Sequence, residues 1–112
     1  MGSQDADHGR AKAARNQALM REVNERIMEV SEEAREMQLL CECADLSCDV
    51  VLDISMLEYE SVRSSPVRFP IAPGHDLPGV EHVVEQNERY AVVEKVGKAA
   101  EVSAKLDPRA RT

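Results

Sequence analysis

Cys41, Cys43 and Cys48 place all three cysteines of this 112-residue chain within eight positions, in the stretch LLCECADLSC, and no other feature constrains the fold as much. In an extended segment, residues two apart point to the same face, so Cys41 and Cys43 can present both sulfurs to one ion. Cys48 follows the four-residue knuckle ADLS, which is short enough to fold back and supply a third sulfur. Zinc takes four ligands in a tetrahedron, most often thiolate and imidazole, so a fourth ligand must come from elsewhere. His8 lies in a polar tail and His82 in a run that reads as a strand. His75, by contrast, sits in the Pro- and Gly-rich stretch IAPGHDLPG, where a ligand can be aimed freely. The expected site is therefore Cys41, Cys43, Cys48 and His75 around Zn2+. Asp45, inside the knuckle, is an alternative fourth ligand, but one so close in sequence crowds the tetrahedron. Buried cysteines also serve as small hydrophobes; three of them so close together and flanked by turn residues favour the metal.

A staple matters because little else is available to hold the chain. Residues 1–11 and 107–112 are polar and read as disordered tails, leaving 12–106 as a single zinc-stabilised domain. A core of that size gains much from a metal or a disulfide. The only aromatic residues are Tyr59, Phe69 and Tyr90, which argues against a large aromatic-lined ligand pocket. Three thiolates, one neutral imidazole and Zn2+ carry a formal charge of about -1 and leave no open coordination position, the signature of a structural site. Oxidation of the same thiolates would eject the metal, so a zinc-thiolate redox sensor is the alternative. A metal-dependent enzyme would need a free position on the ion.

From Ala11 to Gln38 there is no Gly or Pro, and Met20, Val23, Ile27, Val30, Ala34 and Met37 recur at steps of three and four. That spacing predicts one long amphipathic helix whose apolar stripe packs on the protein's own sheet. The repeat extends back through Ala13 and Asn16, so a self-associating coil is the competing reading; Asn24, Arg26 and Glu33 offer it no complementary charge ladder. MQLLCECA and CDVVLDIS then read as two strands meeting at the cysteine cluster. Ser55 with Glu58 three residues on forms a capping box for a short helix, which Pro66 ends. An extended segment around Phe69 precedes the loop carrying His75. VEHVVEQNERYAVVEKVG predicts a hairpin turning at Asn87, and KAAEVSAKL a last helix. The fold class is α+β: a long N-terminal helix on a small antiparallel sheet, with a zinc knuckle and a short C-terminal helix.

A net charge of -7 disfavours non-specific nucleic-acid binding, which needs clustered Lys and Arg. Arg10, Lys12, Arg15, Arg21 and Arg26 make the start of the first helix basic, and the bland reading is a solvated face. No membrane-spanning run or targeting segment is present, and closely spaced thiols suit a reducing, cytoplasmic compartment. Carboxylate sets such as Glu58 with Glu60, or Glu81 with Glu85, match solvated faces and caps and come with no nucleophile or base at a recognisable spacing. A non-enzymatic, regulatory role is expected. A protein partner, or a second copy in a homodimer, would engage the helix Ala13–Met37.

RNQALMREVNERI, LCECADLSC, LEYESV, RFPIAPGH and YAVVEK, in that order over about residues 15–107, together resemble a group of small actinobacterial proteins and appended domains of uncharacterised function. In that group the cysteine cluster and a downstream Gly-His pair are characteristic. The resemblance implies a ligand role for Cys41, Cys43, Cys48 and His75. The chain departs from the pattern at Gln17 and Met20, where an acidic and an aromatic residue would be expected, a difference that bears on helix packing.

Overall fold

A computed structural model describes residues 3–31 and 36–111. The chain is α+β. Helix α1 (Ser3–Val30) leads to strand β1 (Glu36–Leu40), and β2 (Val51–Ser55) runs directly into α2 (Met56–Arg63). Then come β3 (Arg68–Ile71), β4 (Glu81–Gln86), β5 (Ala91–Lys95), α3 (Gly97–Lys105) and a closing 3-10 turn, Pro108–Arg111. The expected single sheet is two small antiparallel ones, β1-β2 and β3-β5-β4. The stretch between β1 and the knuckle bridges them: the Cys41 N–H donates to Val50 O and the Glu42 N–H to Pro70 O, each at 3.0 Å.

Local sequence chemistry sets the element boundaries. Ser55 Oγ accepts the Glu58 N–H at 3.1 Å while Glu58 Oε1 accepts the Ser55 N–H at 2.8 Å, so both halves of the capping box form and β2 turns straight into α2. Asn87 Oδ1 accepts the N–H groups of Arg89 and Tyr90 at 2.8 and 2.9 Å, closing the β4-β5 hairpin where a turn-forming side chain was expected. The core fills from alternate positions of β2 and from successive positions of β3 and β5: Leu39, Leu52, Ile54, Phe69, Ile71, Val92 and Val93 are buried together with Tyr59 of α2. Burying aliphatic side chains of this kind contributes on the order of 1.5–3 kcal/mol each.

Helix α1 departs from expectation in extent and in orientation. It begins at Ser3, ahead of Ala11, inside the segment read as a tail; the alanines after Gly9 suit a helix. It ends at Val30, so Met37 and Gln38 belong to β1, and Ala34 lies outside the described residues. The stripe expected to face the sheet is turned partly outward. Val30 is 82% and Val23 39% exposed, beside Leu19 at 52%, while Met20 and Ile27 are half-buried; of the helical part of the stripe Ile27 packs on the main core, which Met37 joins from β1. The buried face is alanine and polar: Ala11, Ala14, Ala18, Gln17, Arg21 and Asn24. The physical reason is what the helix meets. On that side lie the backbone of the cysteine segment and α3, where small and hydrogen-bonding side chains fit and branched aliphatics do not. Ala14 packs with Val80 and Ala99. Arg21, fully buried, donates to Pro66 O at 2.7 Å and Ser103 O at 2.8 Å, with its guanidinium 4.7 Å from the centre of the Phe69 ring.

The C-terminal segment read as a tail is docked. Asp107 is buried against Arg63, which also donates to Glu25 of α1 at 2.6 Å, and Arg109 reaches Glu25 and Glu60 at 3.0 and 2.8 Å. Among the described residues no helix is long and apolar enough to cross a membrane.

Arg89, in the hairpin turn, grips both Glu58 oxygens at 2.9 and 2.6 Å and so clips the β3-β5-β4 sheet to α2. The Arg89 guanidinium, ahead of the cap hydrogen bonds, holds the Glu58 carboxyl at about 2 against an ordinary 4.5. A depressed carboxyl pKa gives stability that is whole above the unfolded value and fades as pH falls towards the folded one. Arg89→Met should therefore lower the thermal midpoint at pH 6, and the midpoints of the two proteins should converge as pH drops towards about 2. An offset that persisted unchanged down to that pH would show that the clip does not act through charge.

Candidate metal centre

Strand geometry and two turns assemble the four expected ligands. Cys41 follows directly on β1 and the chain bends at Cys43 and Ala44 as it enters the knuckle, with the Glu42 side chain turned towards Asn24 of α1. In the knuckle, Asp45 Oδ1 accepts the N–H and hydroxyl of Ser47 at 2.9 and 2.6 Å, and Asp45 O accepts the Cys48 N–H at 3.0 Å, which swings Cys48 back. The Ser47 hydroxyl, then the Ser47 N–H, lower the Asp45 pKa. That carboxylate is thus engaged in shaping the knuckle and stands outside the ligand group, whose fourth member is His75. On the far side, the His75 N–H donates to Ala72 O at 3.0 Å across a turn in which Gly74 has φ +86°, a left-handed conformation that glycine adopts without strain.

The ligand atoms of Cys41, Cys43, Cys48 and His75 all lie within 4.8 Å of one another, and the group can hold a metal ion. The spacing is more specific than proximity alone. Metal–sulfur bonds of about 2.3 Å and metal–nitrogen bonds of about 2.0–2.1 Å, set tetrahedrally, separate sulfur from nitrogen by about 3.6 Å. His75 Nδ1 lies 3.6 Å from Cys48 Sγ and 3.7 Å from Cys41 Sγ. These contacts are long for ordinary hydrogen bonds to nitrogen and right for two ligands of one ion. His82 sits on β4, 3.8 Å from Glu94, away from the cluster.

Electrostatics favours an ion as well. Burial pushes the Cys41 and Cys43 thiols up, so with no cation beside them they stay protonated and neutral near pH 7. A bound cation would reverse that balance and hold them as thiolates. The Ala72 N–H already points at Cys41 Sγ from 3.1 Å, a donor placed for a thiolate. Cys41 and Cys43 are buried, Cys48 is half-buried and His75 is exposed, so the group lies at the surface.

The other edge of the ligand segment is held by α1, and these residues were not foreseen. Asn24 Nδ2 donates to Leu40 O at 2.8 Å while its Oδ1 accepts the Leu40 N–H at 2.9 Å, as a neighbouring strand would. Gln17 donates to Glu42 O and Asn16 to Ala44 O, both at 2.9 Å. Side-chain amides thus read the backbone at residues 40, 42 and 44, while 41 and 43 present sulfur. The Glu42 side chain completes the arrangement: its Oε2 accepts Asn24 Nδ2 at 2.7 Å and the Tyr59 hydroxyl at 2.9 Å. Burial raises the Glu42 carboxyl to about 7, opposed by those two hydrogen bonds. Behind Glu42, Gln17 also donates to Glu81, which is ion-paired with the buried Lys95. The signal available in the sequence was the run of polar residues Gln17, Arg21 and Asn24 at helical spacing.

If these amides position the ligand segment, truncating the central one is expensive. Asn24→Ala leaves the Leu40 N–H and C=O and one Glu42 oxygen short of partners, and should cost about 2–4 kcal/mol in urea unfolding. Leu19→Ala, on the exposed face, should stay within about 0.5 kcal/mol of the parent. Equal losses in the two variants would contradict the orientation of α1.

Comparisons with protein-family models, with curated proteins and with solved structures returned no match.

Proposed function

We propose that the chain is a small interaction or regulatory module of the reducing, cytoplasmic compartment, stapled by one Zn2+ ion held by Cys41, Cys43, Cys48 and His75. The observation that carries this reading is the convergence of four ligand atoms to within 4.8 Å from two segments about thirty residues apart. Three sulfurs and an imidazole suit zinc and other soft or borderline ions, whereas magnesium and calcium take oxygen. With four protein ligands the coordination is complete, so the ion's work is to fasten the knuckle to the loop after β3 rather than to bind a substrate. Because the unfolded chain offers no preformed site, metal-binding free energy becomes folding free energy. What the module offers a protein partner is the surface this closure creates, including the outer face of α1 with Leu19, Val23 and Val30.

Protein purified without added metal should carry one zinc per chain by elemental analysis. A strong chelator should lower its thermal midpoint by at least about 10 °C, a shift of a few kcal/mol for a domain of this size. Cys41→Ser should reproduce much of that loss without chelator. A metal-free preparation whose midpoint responds neither to zinc nor to chelator would contradict the reading.

A further inference from the structure

The cluster is unequally protected. Cys41 and Cys43 are 1% and 3% exposed, whereas Cys48 is half-buried at the surface. A shallow cleft lined by Cys43, Asp45, Gly74, His75 and Leu77 opens at the cluster. Thiolates fixed by a cation remain the electron-rich atoms of such a centre, since zinc itself has no redox chemistry.

We propose that Cys48 is a site of reversible oxidation by hydroperoxides, and that its disulfide with Cys43 loosens α1 from the ligand segment. The inference rests on the metal reading above and adds a regulation to it. The Cys48 sulfur attacks one peroxide oxygen; the O–O bond breaks, water or an alcohol leaves, and Cys48 becomes a sulfenic acid. The Cys43 sulfur then attacks Cys48, an S–S bond forms, and hydroxide departs and takes up a proton. Two thiolates have lost two electrons and the peroxide has gained them. Cys41 and His75 alone are too few ligands to retain the ion.

The sulfurs of Cys41 and Cys43 both lie within 4.8 Å of Cys48 Sγ, so with either one the surface knuckle closes by roughly 3 Å at most to reach a disulfide length of about 2.05 Å. The Ala72 N–H holds Cys41 Sγ from 3.1 Å, whereas Cys43 Sγ makes a longer contact, 3.8 Å, to Asp45 O within the knuckle itself, and this difference makes Cys43 the partner. Movement of Cys43 reaches α1 directly, because the carbonyls on either side of it, Glu42 O and Ala44 O, are those held by Gln17 and Asn16. The face of α1 that docks there is alanine and amide, so little apolar burial retains this part of the helix once those bonds are lost.

The test uses the full, zinc-loaded chain and hydrogen peroxide. Zinc release is followed with a chromogenic chelator, the disulfide by peptide mass spectrometry, and α1 by hydrogen exchange. The expected result is zinc release together with a Cys43–Cys48 bridge, at least tenfold faster exchange over residues 11–24, and reversal of all three by dithiothreitol and zinc. Cys48→Asp keeps an oxygen ligand but no oxidisable sulfur at that position, and should release zinc at least tenfold more slowly. A chain that never loads zinc overturns the metal reading beneath the proposal. A zinc-loaded chain overturns the redox inference alone if it keeps its ion under peroxide, bridges Cys41 instead, or leaves α1 exchange unchanged on oxidation.

Discussion

The alternation of residues 40–44 is the constraint on which the rest of the structure depends. One short segment must serve two customers: its odd positions, Cys41 and Cys43, supply sulfur, and its even positions give their backbone to the amides of α1. A slip of one residue would turn both sulfurs towards α1 and the Glu42 carboxylate towards the cluster. The hydrogen bonds to Val50 and Pro70 therefore matter beyond their own modest energies, because they fix that register between the two sheets. An ion at the cluster and the helix on the far edge would stabilise the same conformation from opposite sides.

That arrangement explains why so much polar chemistry is buried in so small a domain. Asn24, Gln17, Glu42, Tyr59, Glu81 and Lys95 are all enclosed, and removing any one strands its partners. Such networks add little net stability compared with aliphatic packing, but they penalise every alternative docking of the helix. Arg21 makes the same point at the other end, spanning Pro66 and Ser103. Apolar burial by Phe69, Leu39, Leu52 and their neighbours supplies the bulk of the stability, while the polar face of α1 supplies its address.

How much of this is legible in the sequence follows from the range of each signal. The cysteine spacing, the Ser55–Glu58 cap and the Asn87 turn are local, and the structure realises each of them. His75 was reachable by elimination among three histidines, and a glycine in a left-handed turn delivers it to the cluster. The face of α1 was not legible. Hydrophobic periodicity assumes that the partner is an apolar surface, and here much of the partner is the backbone of the cysteine segment, so the aliphatic stripe falls only partly on the packed side. Asp107 and Arg109 were read as tail because their partners, Arg63, Glu25 and Glu60, lie more than forty residues away.

The claim on which everything else rests is that one ion is bound by three sulfurs and one imidazole of this segment and its facing loop. Zinc K-edge X-ray absorption of the metal-loaded protein reads that shell directly. The account predicts three sulfur neighbours at about 2.3 Å and one nitrogen at about 2.0 Å. A first shell made mainly of oxygen, or one containing a single sulfur, would contradict it.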